Sequence, residues 1–295
     1  MKLSVIVPCR ERNERADACL AEIRRQACAG GAELDLVVVT GVSPVGRARN
    51  EGLRQATGDY ITWVDDDDVV LEGWWREIVR ALSGRPDVVV FGWERGRDRH
   101  LPNLGRDVSG TLLRQVVMRD DLGGVRNFLC NKVFSRRCWE GIRFRDDASI
   151  LIDYEMLPVV LLRAEKVVAI EESLYYYVAN PRGITCSRTV EMEREMLDVA
   201  WRRYNRWKDS TLGDEALAAF VRIVYDWLAE RLMRGVELRT DEWGLRAVAL
   251  LKSQMSVVLR SHALGLVLKV KVLLAVLGWW SVQRLAWRIH NVKSI

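Results

Sequence analysis

The sequence predicts an α/β fold: a mostly parallel, doubly wound sheet followed by an all-helical appendage. Three observations carry that expectation. Short runs of apolar, β-branched residues alternate with helically periodic segments through the first part of the chain, the pattern of successive β-α-β units. One run, Tyr60 to Val64, ends in four carboxylates, Asp65 to Asp68, as a buried strand does when it delivers acids to the rim of a sheet. From Val190 onward only helical stripes remain, which divides the chain into residues 1–189 and 190–295.

The elements follow in order. Leu3–Val7 reads as a buried strand stopped by Pro8, which cannot continue a ladder. Asn13 or Glu14 opens a helix with Ala16, Leu20, Ile23 and Ala27 on one face, closed by Gly30-Gly31. Leu34–Val39 is a second strand, reached by a right-handed crossover. A helix from Gly46 to about Ala56 begins with Arg47, Arg49 and Asn50, which could fasten its start beside the acids. Arg49 taken alone reads as an ordinary surface cation. Tyr60–Val64 is the third strand, Trp74–Leu82 a helix and Asp87–Phe91 a fourth strand. Gly92–Gly110, polar, basic and glycine-rich, reads as a loop with little regular structure.

Farther on, Asp153 to Leu162 reads as a helix whose first turn carries Asp153 and Glu155, a placement that the helix dipole alone would explain. Val167–Ile170 and Leu174–Val178 read as short strands, followed by a loop holding Pro181, Arg182, Gly183 and Arg188. In the helical part, Leu217, Phe220, Val221, Val224, Trp227 and Leu228 form one apolar stripe, and Leu245, Val248, Leu251 and Met255 another. Such stripes are core faces.

Composition narrows the chemistry. At 295 residues, with 49% hydrophobic and 29% charged side chains, the chain has the means to bury a sizeable core. Six cysteines without a Cys-x-x-Cys pair, together with only three histidines, argue against a zinc site. Leu3–Val7 is too short for the apolar region of a signal peptide, so reduced thiols in the cytoplasm are the simplest expectation. The net charge of +5 is uneven: Trp243–Ile295 holds eight Lys or Arg and no acid, which leaves residues 1–242 at −3. The basic character belongs to the tail, and no nucleic-acid partner is expected.

The acid run is the strongest chemical signal. Asp65 and Asp67, two apart on a chain leaving a strand, point the same way, while Asp66 or Asp68 points elsewhere. Four adjacent carboxylates repel one another, and a divalent cation compensates them; oxygen ligands favour Mg²⁺ or Mn²⁺. A solvated acidic turn, with Asp68 or Glu72 at the N-terminus of the next helix, is the plainer alternative. In an open α/β sheet the crevice beyond the carboxyl ends of the strands is where ligands bind.

Taken together, Leu3-Ser4-Val5-Ile6-Val7-Pro8, Ala48-Arg49-Asn50-x-Gly52-Leu53, Ala56-Thr57-Gly58-Asp59-Tyr60-Ile61 and Asp65–Asp68 resemble glycosyltransferase family 2. Asn131-Lys132-Val133-Phe134, Gly141-Ile142-Arg143-Phe144, Asp153 and the run Val168 to Tyr177 look like its bacterial polysaccharide branch. The resemblance covers about residues 1–190. It implies a GT-A fold, Rossmann-like with a mixed sheet, and inverting transfer of a sugar from a nucleotide diphosphate, a UDP-sugar foremost, to a glycan or lipid-linked acceptor. It further implies Mn²⁺ or Mg²⁺ held by Asp67 with Asp65, and Asp153 as catalytic carboxylate, although Ile152 stands where the family carries Glu. Pro8, Arg10, Glu11, Arg49, Asn50, Asp65, Asp66, Asp68, Lys132 and Arg182 would meet the donor.

One departure matters. The family's second strand ends in acids that contact the nucleoside, whereas this chain reads Val39-Thr40-Gly41-Val42-Ser43, and Arg10 and Glu11 replace the usual Tyr-Asn. Glu11 could substitute as the ribose contact. The same departure defines the alternative, a non-catalytic glycosyltransferase-like assembly partner at the membrane. A nucleotidyltransferase would want a glycine-rich phosphate loop after the first strand, and Cys9–Glu14 has no glycine.

Ala263–Trp280 is apolar enough to suggest a membrane span, but Lys269 and Lys271 fall mid-segment and about 200° apart on a helix, so one protected side cannot hide both. With Trp279, Trp280, Arg284, Trp287 and Arg288, the tail instead reads as a basic aromatic helix in a membrane interface. Residues 263–293 would then hold the protein to an anionic membrane surface, peripherally on the cytoplasmic face.

Overall fold

A computed structural model describes residues 1–105, 108–120, 124–180, 183 and 188–280 of the chain. They fall in two compact units, Met1–Arg188 and Thr189–Ile295. The first contains, in order, β1 (Lys2–Cys9), α1 (Glu14–Ala27), β2 (Glu33–Thr40), α2 (Val45–Gln55), β3 (Tyr60–Trp63), β4 (Val69–Val70), α3 (Trp74–Leu82) and β5 (Val88–Arg95). It continues with β6 (Asp98–His100), β7 (Val108–Ser109), α4 (Gly110–Arg119), β8 (Lys132–Ser135), α5 (Ile152–Val160) and β9 (Lys166–Tyr176).

Among the described residues these strands form one sheet in the order β2-β1-β3-β8-β5-β9-β4, with β6 beside β5 and β7 beside β9. β2, β1 and β3 are parallel, as are β5 and β9, while β8 runs antiparallel to both of its neighbours. The sheet is therefore mixed, two parallel groups joined through one reversed strand. Alternation along β1 feeds two cores: Leu3, Val5 and Val7 face α1 and α3, whereas Ile6 faces α2, α4 and α5.

Local chemistry explains the elements that position the site. Asn13 caps α1, its side chain accepting from the amides of Arg15 and Ala16 at 3.0 and 3.1 Å. α2 lacks a side-chain cap, and its first turn is tied instead to a distant segment by the Gly46 amide, 3.0 Å from the Ala148 carbonyl. Gly52 lets this helix lie close on β1, because a Cβ there would meet Ile6 Cγ2 at 2.3 Å. Four consecutive buried residues make β3. Pro8 does not end β1: it falls beyond Ile6–Trp63, the last pair with β3, so a residue without an N–H is tolerated there and the strand runs on to Cys9.

Two other expectations for this unit need correction. Gly92–Gly110 is not an irregular loop: β5 continues to Arg95 and turns through Gly96 and Arg97 into β6, with Trp93 stacked on His100 at 4.1 Å. Gly96 takes a φ of 60°, which a two-residue hairpin turn demands of its first residue. α4 begins at the end of that stretch, capped by Ser109 and burying Leu113 and Val117. Val167–Ile170 and Leu174–Tyr176 belong to one strand, β9, which stops short of Tyr177 and Val178; its pairing with β5 slips around Gly92, where a Cβ would meet the Glu172 carbonyl at 2.8 Å.

The second unit is helical: α6 (Val190–Trp207), α7 (Gly213–Met233), α8 (Glu242–Ser253), α9 (Met255–Arg260) and α10 (Leu266–Val276). The stripe Leu217 to Leu228 is buried on α7, as its spacing predicts. The second stripe is not a core face, because the inward residues of α8 are Gly244, Ala247 and Leu251 while Leu245 lies exposed. No helix among the described residues is long and apolar enough to cross a membrane.

Candidate active site

The acid turn leaves β3 through Val64, whose amide donates to the Ile6 carbonyl at 3.0 Å, and folds back as the Asp68 amide reaches the Asp65 carbonyl at 3.1 Å. Each carboxylate then meets a different surrounding. Asp68 is buried, and both its oxygens are engaged: the Tyr175 hydroxyl donates to one at 2.7 Å and the Val178 amide to the other at 2.8 Å. The same Tyr175 oxygen accepts the Asp65 amide at 3.1 Å, so this tyrosine locks the turn to β9. Asp66 sits beside the Cys9 thiol. Asp67 accepts from the Asn180 side chain at 2.7 Å.

Arg49 joins this turn to the other half of the sheet. Its guanidinium is almost fully buried, donates to Asp153 Oδ1 and lies 3.7 Å from Asp65 Oδ1. Phe144 packs beneath it, with the guanidinium carbon 5.7 Å from the ring centroid. Asp153 is held from a second side by the Leu129 amide, which reaches Oδ2 at 3.1 Å. It stands in the first turn of α5, behind Leu151, a non-glycine residue with φ of 53°. About a fifth of the Asp153 side chain, 19%, and 38% of the Asp65 side chain remain exposed. One buried cation thus stands between the acid turn and the acid of α5.

The electrostatics follow from this crowding. Burial pushes Asp65 above the usual carboxylate range; Arg49 pulls it back, and Asp67 and Asp66 push it further up. Asp68 rises to about 8, from burial first and Asp65 second, with its Tyr175 and Val178 hydrogen bonds opposing. Asp66 rises through burial, against the thiol of Cys9. Burial also lowers Arg49, an effect that Asp65 resists.

Three residues expected at the donor are engaged within the fold. Lys132 has no exposed surface, and its ammonium is spent on the carbonyls of Arg126 and Phe128, each at 2.8 Å, and on Asn131 Oδ1 at 2.7 Å. Asn50 gives its amide to the Phe144 carbonyl and Asp146, both at 2.8 Å, and accepts the Phe144 amide at 2.9 Å. Asp68 is consumed by Tyr175 and Val178. Lys132 thereby commits all three ammonium protons and Asn50 both amide protons, while each Asp68 oxygen already accepts one hydrogen bond. Arg10 and Glu11, by contrast, are exposed where β1 ends, their side chains without partners among the described residues. Pro8 is half-buried next to them. Arg182 lies outside the described residues.

The sequence reading missed Tyr175, Asn180 and the Leu129 amide. A period of two along Tyr175-Tyr176-Tyr177 marks Tyr175 as inward, which would have found the first. The other two become neighbours of the acids only through the fold.

The acids suit a hard divalent cation in their chemistry, since Asp65 and Asp67 offer oxygen ligands at the exposed end of the turn. Among the described residues no three His, Cys, Asp or Glu side chains converge on one point. By donor chemistry, two carboxylates fit a Mg²⁺-type ion bound through one or two protein ligands, with phosphate oxygens and water completing its shell.

Comparison with known proteins agrees with this architecture. Residues 44–106, from just before α2 through the acid turn and beyond β6, match the family described as Glycosyl transferase family 2. Over 156 residues, 51% of this chain, the sequence is 24% identical to the minor teichoic acid biosynthesis protein GgaB of Bacillus subtilis (strain 168), of which it spans only 17%. The structure of S. aureus TarS 1-349 in complex with UDP-GlcNAc matches with a TM-score of 0.59 at 15% identity, over 97% of this chain and 92% of that one. A second S. aureus TarS structure matches with a TM-score of 0.50 at 15% identity, over 92% of this chain and 50% of that one. At such identities the structural likeness is one of fold.

Proposed function

We propose, from a chain that belongs to glycosyltransferase family 2 and carries the GT-A fold, that it transfers a sugar from a nucleotide-diphosphate donor to a hydroxyl of a glycan or lipid-linked acceptor, with inversion. The observation that carries this reading is Arg49, which gathers Asp65 and Asp153 around one buried guanidinium at the carboxyl edge of β3. A UDP-sugar is the favoured donor, a choice supported by the TarS complex with UDP-GlcNAc. A cell-surface glycan acceptor is supported by the name of the B. subtilis relative.

In this reading Asp153 takes the proton from the acceptor hydroxyl as its oxygen attacks the anomeric carbon, and the bond from that carbon to the diphosphate oxygen breaks. Attack from the side opposite the leaving diphosphate inverts the configuration. Leu129 and Arg49 hold the Asp153 carboxylate by one oxygen each, which fixes its direction. Arg10 and Glu11 lie where β1 ends, within the edge that a nucleoside would occupy. Asp67 and Asp65 would hold Mn²⁺ or Mg²⁺, which when bound supplies Lewis-acid neutralisation of the diphosphate. The enzyme works in the cytoplasm, peripheral to the inner face of the cell membrane, where a lipid-linked acceptor reaches it.

The test is transfer measured over a panel of UDP-, GDP- and dTDP-sugars with added manganese, for the natural chain, Asp153→Asn and Asp67→Ala. Loss of transfer in both variants, with circular dichroism unchanged, is the expected result; full activity in both refutes the assignment. A natural chain that binds no nucleotide sugar by calorimetry would favour the non-catalytic assembly partner, for which Thr40 and Gly41 in place of acids after β2 speak.

A further inference from the structure

We propose that α10 docks the second unit on anionic lipid membranes, lying along the interface with one apolar face inserted. The inference deepens the membrane location of the previous reading, but it stands on the second unit alone and needs no transfer activity. Its starting point is a helix built the wrong way round for a soluble surface. Leu266, Val270, Leu273 and Leu277 recur at helical spacing, within about 60° of one another around the axis. They project into solvent, with exposures from 38% at Leu273 to 76% at Leu266, while Val272 and Ala275 on the opposite side are buried. Trp279, just past the helix, is 57% exposed. A soluble chain rarely leaves such a stripe uncovered.

Length and charge select the occupant. Eleven residues make a helix about 16 Å long, against roughly 30 Å of hydrocarbon, so α10 rests in the interface plane and does not span it. From Trp243 to the end of the sequence there are Lys and Arg but no acid. Lys269 and Lys271 stand on the two flanks of the stripe and are kept out of it. Lys269 donates to the carbonyls of Leu259 and Ser261 at 3.0 and 2.6 Å, and Lys271 lies 5.9 Å from the Tyr225 ring centroid. A second copy meeting this face would bring two acid-free, basic segments together; a surface of anionic headgroups over acyl chains meets both the apolar stripe and the basic character of the segment that carries it.

The experiment is co-sedimentation of the full chain with vesicles of phosphatidylcholine alone and of phosphatidylcholine with phosphatidylglycerol, without any nucleotide sugar. The natural chain is expected to pellet with the anionic vesicles and less so as salt is raised. Val270→Asp with Leu277→Asp should weaken partition about tenfold or more, because two inserted side chains become charged. Leu162→Asp, an exposed position of the first unit, should leave it unchanged. Circular dichroism shows whether the double variant remains folded, and Leu266→Ser with Leu273→Ser gives the same reading without added charge. The proposal is overturned if the natural chain stays in the supernatant, if both double variants pellet undiminished, or if the two vesicle types bind equally. It is also overturned if the stripe variants abolish a concentration-dependent dimer while vesicle binding is unaffected. Failure of the sugar-transfer assays leaves these outcomes untouched.

Discussion

Removing the Arg49 guanidinium gives the sharpest check on the site's geometry. Arg49→Met keeps a stem of similar length over Phe144 and deletes the charge that faces Asp153 and, 3.7 Å away, Asp65. Breaking a fully buried pair by losing one partner costs about 3–5 kcal/mol, and partial exposure of both carboxylates puts this case at about 3 kcal/mol. Asp153→Asn leaves Arg49 with Asp65 and the Leu129 amide with an acceptor, for a cost of about 1.5 kcal/mol. If Arg49 and Asp153 are partners, the double variant loses about 2.5 kcal/mol and not the additive 4.5, a coupling of about 2 kcal/mol. Urea denaturation of the intact chain in all four forms measures it. Additivity within about 0.5 kcal/mol would mean that the bridge does not exist as drawn, and with it would go the reason for placing Asp153 and the acid turn in one site.

Other outcomes follow from single contacts. Burial alone would raise Asp87, but the amides of Lys166 and Glu165, each at 3.0 Å, and the Arg137 guanidinium outweigh it and hold the carboxyl below its usual value. Its folded pKa being the lower, the stability it contributes is complete above about pH 4 and lost as pH falls through the folded value, so Asp87→Asn should flatten the acid limb of a urea-midpoint-against-pH curve. Gly52→Ala should lower stability by about 1–2 kcal/mol despite better helix propensity, read as a drop in Tm, since the new methyl overlaps Ile6. Asn180→Ala releases Asp67, and the manganese concentration for half-maximal transfer should rise at least about tenfold; no change would remove Asp67 from the metal's ligands.

The fold was legible wherever a segment's own pattern decided its structure. α1, β2, α2, β3 and α3 emerge within a residue or two of their expected bounds, because each buries a face whose period is written locally. Errors gathered where pairing decided. Trp93 to His100 is polar enough to pass for a loop, yet Gly96-Arg97 between alternating residues is a hairpin turn, and the strand exists because β5 supplies its partner. Glu171 and Glu172 look like a break, but Gly92 opposite them lets β9 slip and continue. The reversal of β8 has no local signature, since Lys132–Ser135 would read the same in either direction.

The site shows the same division, with a chemical consequence. Repulsion among four adjacent acids suggests a metal when the run is read alone, because a sequence does not display what surrounds it. The fold supplies most of the compensation itself: Tyr175 and Val178 to Asp68, Cys9 to Asp66, and Arg49 to Asp65. Asp67 is the exception, met among the described residues by the neutral amide of Asn180. A cation is therefore called for less by crowding than by this one half-buried carboxylate, two residues after Asp65. Lys132 and Asn50 pose the converse case, since motif position marks them as ligand contacts while the fold commits every donor they have. Substituting either should cost stability before it costs donor affinity. A Lys132→Met chain that folds normally yet fails to bind a nucleotide sugar by calorimetry would return that lysine to the site.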